Sequence, residues 1–298
     1  MARDVRSLTA PPDAKKLLLK GLVGSFRKRG MRVGELPDRS YLLLDHKQAP
    51  AWLAAYDKVC GFTLRDRVPA TWLHVQTFPL QAALMAEDDF PMSLAGLVHV
   101  SNTMTLHRPV DLGERLRMRV CAENLLPHPK GVAFDMRGQI HVGDELVWEG
   151  SSNYLAIGAK GVEGEPVKTE HLAAPTAPPS QEWRLPADLG RQYAKVSEDA
   201  NPIHLSPVSA KLFGFPRAIA HGMWAHARAM AALGGRLPAA YTVGVQFAKP
   251  ILLPGKVRFA AEETDEGWRF AVVNRELKPH LVGALRDARW RSLLRDRC

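Results

Sequence analysis

The sequence is poor in cysteine and has no long apolar run. It contains three cysteines, Cys60, Cys121 and Cys298. Their spacing fits neither a metal site nor a redox motif, so we expect free thiols in a reducing compartment rather than a disulfide framework. The apolar stretch 17–24 is too short to span a bilayer, and residues 1–10 lack the features of a secretion signal. The sequence therefore predicts a cytoplasmic protein without a transmembrane helix.

The excess of positive charge is modest. The 298 residues carry 40 Lys and Arg against 31 Asp and Glu, a net charge of +9. Residues 1–37 contribute +6 and residues 286–298 contribute +3, so the body of the chain is neutral. Within that body, residues 38–186 sum to −4 and residues 187–285 to +4. This distribution does not indicate a nucleic-acid-binding protein. The basic second half suits a small anionic partner better than it suits DNA.

Two internal similarities indicate a duplicated module. Residues 56–60 resemble residues 193–197, and residues 108–118 resemble residues 249–259, at offsets of 137 and 141. A proline-rich stretch at 173–180 lies between the copies. The length also agrees with two domains. We therefore predict a first module, a proline-rich linker and a related second module, at residues 1–165, 166–186 and 187–298.

Each half combines strand-like alternation with one apolar helix. The alternating segments are 115–120, 139–142, 145–148, 243–248 and 268–273. Gly143 and Asp144 separate two of these segments in the manner of a hairpin turn. Residues 224–233 predict a buried helix that stops at Gly234, and residues 78–85 are its counterpart in the first half. The pattern predicts an α+β fold in which each half packs an antiparallel sheet on one buried helix.

Asp199 and His204 lie in a short loop that the sequence caps at both ends. Asn201-Pro202 and Ser206-Pro207 are typical starts of short helices, the second running over 208–213. A carboxylate and an imidazole within reach of each other can share a water and move a proton near neutral pH. A purely structural interpretation stays open, in which Asp199 or Asn201 only caps the turn and His204 is an ordinary core histidine.

His221-Gly222-Met223 precedes the second apolar helix. The backbone N–H groups at a helix N-terminus lack intrahelical partners and can bind a developing oxyanion. A glycine at Gly222 would let a carbonyl approach closely. The alternative is that Gly222 only allows a tight turn into the helix.

The segment from Tyr193 to Met223 resembles the hydratase 2 motif of MaoC-like dehydratases. The matching residues are Tyr193, Val196 to Asp199, Asn201 to His204, Ala210, Phe213 to Phe215 and Ile219 to Met223. The first half more weakly resembles the degenerate module of double-hotdog members of this family. The implied fold is a tandem hotdog, in which each module wraps an antiparallel sheet around a long central helix.

The resemblance also implies a chemistry, the reversible syn hydration of trans-2-enoyl thioesters to (R)-3-hydroxyacyl thioesters in fatty acid metabolism. Asp199 and His204 would hold the water, Asn201 would orient them, and the Gly222 N–H would bind the thioester oxygen. Substrate contacts would come from Ser197, His221, Phe213, Phe215 and Trp224. No metal and no cofactor are implied. The substrate would be carried by coenzyme A or acyl carrier protein, and the two modules would form a pseudo-dimer, with a homodimer left open.

One position departs from the family pattern, because Glu198 stands where the motif commonly has glycine. A positive φ there would strain Glu198, and its charge would raise the pKa of Asp199. The first half has no equivalent loop, and His99, Asn102 and His107 are interpreted as surface or seam polar groups. Two other functions therefore stay open: a non-catalytic subunit that binds acyl thioesters as a scaffold, and a hotdog thioesterase.

Overall fold

The computed structural model describes residues 4–18, 33–93, 97–166 and 170–287. Cys298 and most of the basic C-terminal segment predicted from the sequence lie outside these residues. Six strands belong to the first half: β1 (Asp4–Leu8), β2 (Arg39–Lys47), β3 (Leu97–Leu106), β4 (Arg115–His128), β5 (Gly131–Val142) and β6 (Glu145–Ile157). Five follow: β7 (Gln181–Leu185), β8 (Tyr241–Phe247), β9 (Gly255–Thr264), β10 (Gly267–Val273) and β11 (Pro279–Asp287).

Residues 14–18 are helical, and five further α-helices have both ends in the described part of the chain. They are α1 (Pro50–Cys60), α2 (Ala70–Met85), α3 (Leu189–Ser197), α4 (Pro207–Leu212) and α5 (Gly222–Leu233). A 3-10 turn covers Pro202–His204. No described helix is long and apolar enough to cross a membrane. The two cysteines within this part of the chain, Cys60 and Cys121, are buried and are not in a disulfide.

The strands form one sheet with a nearly symmetric order, β1-β2-β4-β5-β6-β3-β8-β11-β10-β9-β7. Apart from β1, which pairs parallel with β2, the order reads the same from both ends if β2, β4, β5, β6 and β3 correspond to β7, β9, β10, β11 and β8. The symmetry centre lies at the antiparallel pairing of β3 with β8, where Met104 faces Val243. The two sequence repeats therefore correspond to two structural repeats joined edge to edge.

The central helices α2 and α5 are buried on nearly all of their faces. Helix α5 closely matches the predicted 224–233 and ends at Gly234. Helix α2 begins eight residues before the predicted 78–85, a difference with a clear cause. Thr71, His74 and Gln76 are buried polar residues that interrupt the apolar pattern, and Pro79 lies inside the helix, where a break would be expected.

Within the predicted linker 166–186, residues Gln181–Leu185 form strand β7. This strand pairs with β9 and buries Trp183 and Leu185. Residues 173–180 have no regular structure, as their proline content indicates. The division into two modules with these boundaries otherwise stays a prediction.

Candidate active site

The loop 198–221 connects α3 to α5 and starts in a strained conformation. Glu198 has φ 61° and ψ 1°, the left-handed region that favours glycine. Glu198 therefore has the positive φ that was expected to strain a residue other than glycine at this position. The loop is also packed tightly against α3, since a Cβ at Gly190 would overlap the carbonyl oxygen of His204.

Hydrogen bonds between neighbouring residues of the loop orient Asp199. Its backbone N–H donates to Ser197 Oγ at 3.3 Å, and its Oδ1 accepts from the Asn201 N–H at 3.1 Å. Asn201 Oδ1 in turn accepts from the Ile203 N–H at 3.4 Å. Ser197 and Asn201 therefore shape the turn that presents the Asp199 carboxylate.

A hydrogen bond to the backbone of Ile219 holds His204 in one tautomer. Its Nδ1 lies 2.8 Å from the carbonyl oxygen of Ile219, which can only accept, so Nδ1 carries the proton. Nε2 is then the free acceptor. Burial, together with the neighbouring His221, lowers the pKa of His204 to about 3. The imidazole is therefore neutral at neutral pH.

His221 holds Asp199 and His204 together. Its Nε2–H donates to the carbonyl oxygen of Asp199 at 2.9 Å, and its ring stacks on that of His204 at 3.6 Å and 26°. Burial lowers the pKa of His221 to about 4, so it is neutral too. The pKa of Asp199 is raised overall, because the effect of burial is larger than the opposing effect of His204. The sequence pattern placed His221 among substrate contacts; its contacts here are with the loop.

The ligating atoms of Asp199, His204 and His221 lie within 4.8 Å of one another. One water can bridge such a separation, because two hydrogen bonds of about 2.8 Å span it. A two-histidine, one-carboxylate set is also a known type of metal site. However, His221 Nε2 carries the proton that it donates to the Asp199 carbonyl oxygen, so this nitrogen is not free to bind an ion. The arrangement therefore fits a shared water better than a metal.

Gly222 begins α5 directly beside this cluster. A Cβ at Gly222 would lie 2.9 Å from the ring of Phe247, so the close packing of β8 over the helix start requires glycine. The first N–H groups of α5 have no intrahelical partners, and His221 provides no side-chain cap. These donors are available to an oxygen atom that reaches the helix N-terminus.

The predicted aromatic contacts occupy different surroundings. Trp224 is buried in the core, where its indole N–H donates to the carbonyl oxygen of Val59 at 3.1 Å and its ring meets Trp183 edge-on. Phe213 and Phe215 follow α4 and are half-buried. A substrate contact by these three residues stays a prediction.

The first half also reaches the site, which the sequence pattern did not reveal. His99 on β3 stacks on Tyr154 at 4.7 Å and meets Phe247 edge-on at 5.0 Å. Burial and the charge of Asp199 both raise the pKa of Tyr154. An aromatic wall from the seam thus lies next to Gly222 and the catalytic loop.

Comparison with known proteins agrees with this architecture. The family model of the MaoC-like domain matches residues 162–281. A curated relative, 3-hydroxyacyl-thioester dehydratase X of Mycobacterium tuberculosis, is 34% identical over 276 residues, 92% of this chain and 98% of that protein. The crystal structure of HtdX from the same organism superimposes with a TM-score of 0.75 and 34% identity, covering 84% of this chain and 100% of that one.

A second solved structure concerns the fold alone. A Mycobacterium tuberculosis protein described as having a double hotdog fold matches with a TM-score of 0.52 and 12% identity, covering 81% of this chain and 92% of that one. The predicted α+β tandem hotdog fold is confirmed.

Proposed function

The chain belongs to the MaoC-like dehydratase family, and on that premise we propose that it is a hydro-lyase acting on acyl thioesters. The reaction is the reversible syn hydration of trans-2-enoyl thioesters to (R)-3-hydroxyacyl thioesters in fatty acid metabolism. The curated relative is named as a dehydratase of 3-hydroxyacyl thioesters. The observation that carries the proposal is the Asp199 carboxylate, within 4.8 Å of a neutral His204, on a loop that ends at a helix N-terminus.

Asp199 and His204 divide the work on one water. The Asp199 carboxylate accepts one hydrogen bond from the water, and His204 Nε2 accepts the other. The water oxygen forms a bond to C3 of the enoyl group while its proton passes to His204 Nε2. The same proton then passes from the imidazolium to C2, which restores the neutral histidine. Dehydration is the reverse sequence, and both bonds form on the face of the substrate that the loop covers.

The N-terminus of α5 stabilises the intermediate charge. When oxygen adds to C3, the thioester oxygen takes on enolate character, and the Gly222 N–H donates to it. The helix dipole acts in the same direction. His221 has a positioning role, because it ties the Asp199 carbonyl to the His204 ring.

Three further features belong to the proposal. Ser197 supports the part of the loop that faces the substrate. Phe213, Phe215 and Trp224 contribute to the acyl pocket. The carrier is coenzyme A or acyl carrier protein. We place the protein in the cytoplasm, supported by the two buried cysteines that are not in a disulfide, and the paired modules act as a pseudo-dimer within one chain, with or without a homodimer.

The purified protein is tested with trans-2-enoyl-CoA substrates of graded chain length. Hydration lowers the absorbance of the conjugated thioester without releasing a thiol, and chiral analysis is expected to give the (R) product. Release of free coenzyme A would identify a thioesterase instead. Absence of turnover at every chain length, with binding retained, would identify a non-catalytic subunit. An exclusively (S) product would contradict the proposed site.

A further inference from the structure

Helix α4 presents two aliphatic side chains to solvent. Leu212 is 82% exposed and Val208 75%, the highest values among the large apolar residues of the described chain. They are four residues apart and therefore lie on one face of the helix. Exposed apolar residues that cluster in this way are typical of an interaction surface.

Helix α4 is joined directly to the catalytic loop. Ser209 Oγ donates to the carbonyl oxygen of Pro202 at 2.6 Å, and the Ile219 N–H donates to the carbonyl oxygen of Ile203 at 3.1 Å. Ile203 is the residue before His204. A molecule bound on α4 would therefore lie on the segment that also carries Asp199 and His204.

The segment that carries α4 exposes charges of one sign. From the start of α3 to the start of α5 the exposed charged side chains are all basic: Arg191, Lys195, Lys211 and Arg217. The acidic residues of this stretch, Glu198 and Asp199, are half-buried in the loop. No ion pair within the described residues neutralises the four cations. Two of them donate hydrogen bonds to the backbone instead: Arg191 to the carbonyl oxygen of Leu205, and Arg217 to that of Pro254.

We propose that α4 and its basic rim form the docking surface for an acyl carrier protein, a small acidic protein that presents the thioester on a phosphopantetheine arm. The proposal rests on the proposed hydratase function and names its carrier. An acidic helix with apolar residues between its carboxylates would complement this surface. The phosphates of coenzyme A need cations but make no use of Val208 and Leu212.

A second copy of this chain fits the surface less well. A two-fold interface places the same patch against itself, so the four cations on one protomer would face the four on its partner. Like charges across an interface cost free energy. The acidic carrier is therefore the occupant that the charges favour.

The test compares one acyl group on two carriers. The trans-2-octenoyl group is presented on coenzyme A and on a bacterial acyl carrier protein, and kcat/KM is measured for the wild type, Leu212→Asp and Lys211→Glu. We expect each variant to lose at least tenfold with the carrier protein, mainly through KM, and to stay within twofold with coenzyme A. Matched controls in the first half are Ile157→Asp, at a side chain 63% exposed, and Lys130→Glu. Neither is expected to change either value.

Several outcomes would overturn the docking proposal while leaving the hydratase intact. An unchanged ratio of the two kcat/KM values would do so, as would an equal loss with both carriers, which would mean that α4 only supports the loop. A fall in molar mass of Leu212→Asp in solution would assign the patch to self-association. Loss of binding to anionic lipid vesicles in that variant would assign it to a membrane. Failure of the wild type on coenzyme A would instead refute the hydratase function.

Discussion

The two halves share a scaffold but differ in one connection. Helix α1 ends at Gly61 with φ 79°, and α3 ends at the corresponding Glu198 with φ 61°. In the first half, residues 62–69 then lead directly to the central helix α2. In the second half, residues 199–221 lead to α5 and contain every loop residue assigned to catalysis. The chemistry is therefore added to a duplicated fold within a single connection.

The central helices show how close the two scaffolds are. Trp72 and His74 on α2 correspond to Trp224 and His226 on α5 at a constant offset of 152. By the same offset, Ala70 stands where Gly222 is, and Pro69 stands where His221 is. Helix α2 therefore begins at the equivalent position but lacks the glycine and the histidine of the proposed oxyanion site on α5.

The two halves should differ most in how kcat responds when the carboxylate in each connecting loop is removed. Asp199→Asn is expected to lower kcat for enoyl-CoA hydration by about 10³-fold, within the range for loss of a group in general acid–base catalysis. Its first-half counterpart is Asp66→Asn, in the connection from α1 to α2, where the side chain is exposed. That variant should keep wild-type kcat. Equal losses in the two variants would show that the halves do not differ in this way.

The helix starts offer the second comparison. Gly222→Ala places a methyl group 2.9 Å from the Phe247 ring, which displaces the helix start from the thioester oxygen. We expect kcat to fall about 10²-fold, as for loss of one oxyanion donor. Ala70→Gly in the first half should leave kcat unchanged. Circular dichroism of both variants controls for folding, and a folded Gly222→Ala with wild-type kcat would remove Gly222 from the mechanism.

Acid stability tests the buried histidines that both halves share. Burial lowers the pKa of five of them to about 3 or 4: His74, His99, His204, His221 and His226. Below pH 6.5 the unfolded chain binds protons that the folded chain does not, so the unfolding free energy falls as pH decreases toward 4. The buried carboxyl of Asp57, whose pKa is raised to about 6, acts oppositely, as do Glu198 and Asp199, whose pKa burial also raises, but these three groups are fewer than the five histidines.

The corresponding pair His74 and His226 makes this prediction specific. His74→Leu and His226→Leu should each flatten the dependence of the unfolding free energy on pH between 6.5 and 4, by similar amounts. Urea denaturation at several pH values measures the slope. A slope unchanged in both variants would show that these two histidines are not neutral in the folded protein.

The smallest effects are expected where α1 and α3 end. Gly61→Ala puts an L-residue at φ 79° with its Cβ 2.8 Å from Arg228 Nη1, and should cost about 1 kcal/mol. Glu198→Gly relieves the same backbone strain and should stabilise by up to about 1 kcal/mol, less the greater chain entropy of glycine when unfolded. Denaturant midpoints measure both changes. Shifts of the same sign would contradict the correspondence of the two positions.

The sequence predicts the catalytic loop well because its determinants are local. The caps at Asn201 and Ser206 act within a few residues, and they form as expected. Contacts between distant segments were not predictable from the pattern. The packing of Phe247 over Gly222 and of Tyr154 on His99 depends on how β3 pairs with β8, and that register is set by tertiary packing rather than by either segment alone.

The stereochemistry of hydration in D₂O tests the central claim most directly. In the proposed mechanism the catalytic loop, which occurs in one half, covers one face of the substrate, so the hydroxyl group and the deuteron should add to that same face. NMR coupling constants of the 2-deuterated (R)-3-hydroxyacyl product distinguish the two relative configurations. The account predicts syn addition. Anti addition would require a second acid on the opposite face, and would contradict a site built on Asp199 and His204 alone.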